Sequence, residues 1–158
     1  MATMVGEILF LDTNILLIAT DGSRPLHRQA IELFEEANAR GFHLAANGQV
    51  LREYLAVATR PIESNGLGLG VAAAVANLEQ FLRFLSVFEE TESVALQVRQ
   101  LVLTYAIRGK RVHDAGIVAT MLAHKVRVLV SQDGGDFVRF EEIEVVSLED
   151  VLSRTKPQ

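Results

Sequence analysis

The sequence predicts an α/β fold, a mostly parallel central sheet flanked by helices on both faces and closed as a single domain over residues 1–158. Two observations predict it. Short apolar runs alternate along the chain with longer segments of helical periodicity, and a strand–helix–strand alternation returns successive strands parallel to one another. The first run, Glu7 to Leu11, is continuously apolar from Ile8 onward, which is the pattern of a strand buried on both faces. With 49% hydrophobic residues and no segment that reads as a linker, the chain has the material for one sizeable core.

Taken in order, the first strand ends where Asp12 interrupts the apolar run that Ile15-Leu16-Leu17 resumes. Thr13 and Asn14 can cap the short helix that follows, and Asp12 can itself be that cap. Asp21-Gly22-Ser23-Arg24-Pro25 is a loop. From Pro25 to Arg40, Leu26, Ala30, Ile31, Phe34 and Ala37 recur at helical spacing, with Gly41 as a stop signal. Phe42 to Ala46 reads as a strand, and Asn47 caps a helix to about Thr59, ended by Arg60-Pro61. The alternation Gly66-Leu67-Gly68-Leu69-Gly70 has the look of a phosphate-cradling loop, but it follows a helix and a proline where such a loop needs a strand, so it reads as a connection between helices. Val71 to Leu85 is helical, Ser86-Val87-Phe88 a strand, and Thr91 with Glu92 opens a helix to about Arg108. The basic connection Gly109-Lys110-Arg111 leads into an apolar helix from Val112 to His124. Arg127 to Val130 is a buried strand delivering the chain to Ser131-Gln132-Asp133-Gly134-Gly135-Asp136-Phe137, and a last strand, Ile143 to Val146, precedes a short helix.

Composition excludes several classes. Without cysteine there is no disulfide, thiolate metal site or cysteine nucleophile, and a reducing compartment, by default the cytoplasm, suits the chain. No stretch reaches the roughly 18 apolar residues of a membrane helix, and no basic segment precedes the first apolar run, so neither a membrane span nor a signal peptide is expected. A net charge of −5 argues against a broad electropositive surface, but not against a local basic rim.

The chemistry lies in carboxylates whose neighbours are apolar. In open parallel sheets ligands bind outside the carboxyl ends of the strands, where Asp12 and Asp133 both fall. Glu53 shares a helix face with Val50, Ala56 and Val57, and Asp114 shares one with Ile117, Val118 and Met121. Asp136 lies three residues past Asp133. Each acid has an ordinary structural role open to it: a cap for Asp12, a helix-dipole partner for Asp114, turn formers for Asp133 and Asp136. Together they convey more. Two carboxylates about 5 Å apart repel by roughly 3 kcal/mol at an effective dielectric near 20, and no matching Lys or Arg is expected on the same segments, so either some are protonated or a cation sits among them. Oxygen ligands suit Mg²⁺ or Mn²⁺, ions that chiefly serve phosphate chemistry. Glu35-Glu36, Glu89-Glu90 and Glu141-Glu142 fall on polar faces or element ends and read as solvated.

Leu11-Asp12-Thr13-Asn14, Glu53 with Thr59-Arg60-Pro61 after it, Gly109-Lys110-Arg111-Val112-His113-Asp114-Ala115, and Ser131 to Phe137 together resemble the PIN-domain ribonucleases, and among them the VapC-type toxins. The resemblance spans almost the whole chain, with four short motifs in the family's order. It implies metal ligation and catalysis by Asp12, Glu53, Asp114 and, in the fourth motif, Asp133 in preference to Asp136. Ser131 stands where the family usually has Thr, and Asn14 and Ser131 are the implied orienting residues. It also implies Mg²⁺- or Mn²⁺-dependent hydrolysis of RNA by metal-activated water, dimerisation, and a small antitoxin protein as partner. Arg60, Lys110 and Arg111 are the candidate basic rim for the substrate. The apolar helices from Val71 to Leu85 and Val94 to Ala106 carry more apolar residues than one buried stripe requires, which suits a homodimer.

The alternatives read differently. A non-catalytic PIN-like module binding RNA or protein would have no reason to keep like charges together. A haloacid-dehalogenase-like enzyme would want Asp where Asn14 stands, a receiver domain would want paired acids and a late Lys, and a histidine–aspartate phosphohydrolase, suggested by His113-Asp114, would be all-helical.

Overall fold

The run Glu7–Leu11 forms strand β1 at the middle of the sheet, where its last three residues are completely buried. The computed structural model describes residues 6–154. The other strands are β2 (Phe42–Asn47), β3 (Leu85–Phe88), β4 (Val128–Val130) and β5 (Glu144–Val146). They pair in the order β3-β2-β1-β4-β5, every pair parallel, so the expectation of a mostly parallel sheet is met without exception among the described residues.

The chain winds outward from β1 to β2 and β3, then crosses back to β4 on the other side of β1. The direction of winding therefore reverses between β1 and β4, and at such a reversal the two connections leave on opposite faces and open a crevice at the strand carboxyl ends. The helices follow this. On one face α1 (Thr13–Thr20) packs on α2 (His27–Glu36) and α3 (Gly48–Thr59), α3 on α4 (Val71–Leu82), and α2 on the last helix, α7 (Leu148–Ser153). On the other, α5 (Glu92–Tyr105) packs along α6 (Val112–Ala123). No helix among the described residues is long and apolar enough to cross a membrane.

Several boundaries move for identifiable reasons. The helix expected from Pro25 begins at His27, because Leu26 takes a left-handed backbone (φ 71°) and the His27 ring meets the carbonyl of Ile18 at 2.7 Å, satisfying an acceptor in the last turn of α1. It ends at Glu36; Arg40 then binds Glu32 at 3.0 Å and the Leu152 carbonyl at 2.7 Å, tying this end to α7. The fifth helix stops at Tyr105 rather than near Arg108: Ala106 is left-handed and the amide of Ile107 reaches back to the Val102 carbonyl at 3.1 Å, a helix-ending motif sealed by burial of Ile107. Leu85, expected to end a helix, begins β3. Asn47 caps α3 as expected, accepting from the amide of Val50 at 3.0 Å, and its amide donates to the Thr120 hydroxyl at 2.9 Å, so one buried side chain joins β2, α3 and α6.

Candidate metal and active site

At the end of β1 the amide of Asp12 donates to the Val130 carbonyl, and at the end of β4 the amide of Ser131 donates to Val146, both at 3.0 Å. The ladder thus carries Asp12 and Ser131 side by side just past the strand ends, in the crevice between β1 and β4. Asp12 is the amino-terminal cap of α1, its Oδ1 accepting from the Thr13 amide at 2.8 Å; Thr13 is inside the helix and Asn14 is not a cap. The Oδ2 of Asp12 accepts from the Ser131 hydroxyl at 2.8 Å and the Asn14 amide at 3.3 Å. Capping and site are therefore one role, not alternatives.

Asn14 is the hub of this half. Its Nδ2 also lies 3.2 Å from Ser131 Oγ and 3.1 Å from Asp133 Oδ2, while its Oδ1 accepts from the Gln132 amide at 3.3 Å. Ser131 Oγ in turn accepts from the Asp133 amide at 3.1 Å. Asn14 and Ser131, the expected orienting residues, thus both bond to Asp12 and Asp133.

Glu53 reaches the same region from α3. Its Oε2 accepts from the Thr13 hydroxyl at 2.9 Å and its Oε1 from Gln49 Nε2 at 3.0 Å; Gln49 also donates to the His113 carbonyl at 2.8 Å, linking α3 to the start of α6. Thr13, expected only as a cap, and Gln49, not singled out in the sequence, both hold Glu53. The spacing of Gln49 four residues before Glu53 on one helix was the available signal. Of the expected face-mates of Glu53, Val50 is buried but Ala56 is exposed, because α4 covers α3 along only part of its circumference.

Asp114, in the first turn of α6, lies above Ile117, Val118 and Met121, all buried as expected. Its neighbours correct one expectation. A cation does stand on the same segment: Arg111 Nη1 is 3.5 Å from Asp114 Oδ2 and also bonds Asp136 Oδ1. Arg111 is therefore paired with two acids at a half-exposed position. Of the other rim candidates, Lys110 is exposed in the turn beside it, while Arg60 is exposed at the far end of α3, about 10 Å along the helix from Glu53; neither pairs with a carboxylate among the described residues. The two acids of the fourth motif divide: Asp133 faces Asn14, and Asp136 faces Arg111.

Burial pushes the Asp12 carboxyl from an ordinary 3.8 up to about 6, against the lowering effect of the Ser131 and Thr13 bonds, with the charges of Glu53 and Asp114 adding to the rise. Asp114 is raised as well, first by burial, then by the charge of Asp136, with Arg111 opposing and Glu53 contributing. These mutual effects place Asp12, Glu53, Asp114 and Asp136 within one electrostatic neighbourhood. As the side chains stand, however, no three of the acids or histidines among the described residues are grouped tightly enough to hold an ion. The carboxylates are instead turned to protein donors: Ser131 and Asn14 for Asp12, Asn14 also for Asp133, Thr13 and Gln49 for Glu53, and Arg111 for both Asp114 and Asp136. The donor chemistry fits a hard divalent cation: oxygen atoms alone, one of them on a buried acid that pairs with no cation among the described residues. Asp12, Glu53, Asp114 and Asp133 are the side chains that would hold it.

The sequence matches the PIN domain family over residues 9–143, a stretch containing all four acid motifs, and the chain belongs to that family. Solved structures share the fold. VapBC2 from Rickettsia felis, bound to a DNA fragment from its promoter, superposes with a TM-score of 0.65 at 19% identity, covering 89% of this chain and 98% of that one. Mycobacterium tuberculosis VapC20, a sarcin-ricin loop cleaving toxin, gives 0.65 at 19%, covering 84% and 95%. A toxin–antitoxin complex from Klebsiella pneumoniae gives 0.59 at 21%, covering 89% and 97%. A comparison with curated proteins finds no match.

Proposed function

We propose that this protein is a Mg²⁺- or Mn²⁺-dependent endoribonuclease of the VapC type, the toxin of a toxin–antitoxin pair. One observation carries the reading: a buried aspartate at the winding reversal of the sheet, held among the described residues by neutral donors alone, with Glu53 and Asp114 close enough to raise its pKa. A scaffold gains nothing from that arrangement, whereas a divalent ion offsets it. The PIN family membership and the VapC-like fold support the same conclusion.

When bound, the ion would supply an acidified water and stabilise the charge that develops on the phosphate. The chain's own part is positional. Ser131 and Asn14 fix the Asp12 carboxylate, Thr13 and Gln49 fix Glu53, and the α6 amino terminus presents Asp114 where its dipole favours an anion. A cytoplasmic location belongs to this reading, as do a homodimer and an antitoxin partner. Val71, Val75 and Leu82 on α4 and Leu96 and Leu103 on α5 form exposed apolar faces additional to those these helices bury, which supports assembly.

RNA cleavage with and without EDTA, restored by Mg²⁺ or Mn²⁺, tests the proposal. Loss of activity in EDTA and in Asp114→Asn is expected; cleavage indifferent to both would refute it, and RNA binding without cleavage would leave the chain a binding module.

A further inference from the structure

We infer that Arg111 is a resident counter-ion that competes with a divalent cation for Asp114: its guanidinium bridges Asp114 and Asp136 and swings out when Asp114 turns to the ion. The inference rests on the metal-dependent reading above. Arg111 closes the short turn Gly109–Arg111, one turn ahead of Asp114, and a single nitrogen, Nη1, reaches both Asp114 and Asp136, which lies 25 residues further along the chain. Nothing else holds its side chain among the described residues: unlike Arg40, which binds a backbone carbonyl across the fold, Arg111 bonds only these two acids. Its side chain is 42% exposed, so it can leave without opening a cavity. The charge count favours exchange, since one positive charge is divided between Asp114 and Asp136, whereas a divalent ion brings two. Once displaced, the planar guanidinium remains tethered at the mouth of the site, where its paired donors match a phosphate.

Calorimetric titration of Mn²⁺ into the wild type, Arg111→Gln, Arg111→Lys and the control Arg108→Gln tests this. The glutamine variant should bind about fivefold more tightly, the effect of removing a competing, partly exposed ion pair; the lysine variant should stay near the wild type, and Arg108→Gln, which removes the same charge from an exposed side chain outside the bridge, should change little. Equal or weaker binding by Arg111→Gln, or equal tightening in the control, would overturn the exchange, while no Mn²⁺ binding by any of the four proteins would overturn the metal-dependent reading as well. In the wild type, addition of Mg²⁺ should move the Arg111 guanidinium nitrogen resonances from their paired to their free positions. Resonances that stay in place while Mg²⁺ binds would also overturn it.

Discussion

The two halves of the site hold their carboxylates by opposite means. Asp12, 9% exposed, is surrounded by neutral dipoles: the Thr13 amide and Asn14 carboxamide of its own helix, and the Ser131 hydroxyl that the register of β1 against β4 brings beside it. Asp114 and Asp136 sit where water reaches and share one flexible guanidinium. Oriented dipoles cannot leave, so the Asp12 half is built once and its acid carries a raised pKa. A guanidinium can leave, so the other half changes partners. Rigid support is found where solvent is excluded, and exchangeable support where it is not.

The largest way to break this contrast is to remove an acid from either half. Asp12→Asn and Asp114→Asn should each lower single-turnover RNA cleavage by about 10²- to 10³-fold, the loss expected when a group stabilising transition-state charge is removed. Their effects on metal-free stability should share a sign, because both acids have raised pKa values.

That sign can be worked out for the rigid half. The folded Asp12 carboxyl holds its proton up to about 6 and the unfolded one only to about 3.8, so between those values the native state binds more protons and stability falls as pH rises. The displacement corresponds to about 3 kcal/mol, fully lost above pH 6 in the metal-free protein. Melting in EDTA across this window should show a steeper decline in the wild type than in Asp12→Asn, where only Asp114 keeps a raised pKa, and Mg²⁺ should restore stability at neutral pH by binding the native state. Parallel curves would refute the assignment.

A sharper cut is Ser131→Ala, which removes the strongest bond opposing the rise at Asp12. The Asp12 pKa should climb further, followed by carboxyl NMR titration, and metal affinity should fall by about 10- to 100-fold as for a lost orienting partner.

The smallest expected effect tests Gln49. A Cβ on Gly116 would lie 2.7 Å from Gln49 Oε1, so only glycine lets this side chain reach both Glu53 and the His113 carbonyl. Gly116→Ala should leave thermal stability unchanged or raise it by up to about 1 kcal/mol, alanine being the better helix residue, while cleavage drops by about tenfold as Gln49 releases Glu53. An unchanged rate would remove Gln49 from the positioning residues.

Much of this was written locally in the chain. An uninterrupted apolar run ended by one carboxylate marks the end of a buried strand, since no other element makes that pattern cheaply, and the three apolar face-mates of Asp114 sit on one side of one helix. The misreadings have local causes too. Ala56 looks like a core residue by spacing yet is exposed, because spacing identifies a face but not how far the next helix covers it. The pairing of Arg111 is not legible locally, because its closest bond is to a residue 25 positions away.

The sequence alone determined the alternation of elements, the family's motifs and the acids worth watching, because periodicity and capping are properties of neighbouring residues. Only the tertiary structure decided which acids face which donors. Asn14 meets Asp133 across 119 residues because β4 inserts beside β1 rather than beyond β3, and Asp136, three residues later in the turn, is directed to Arg111 instead. Strand order follows from how the helices pack on the two faces of the sheet, a cooperative balance that no single segment encodes.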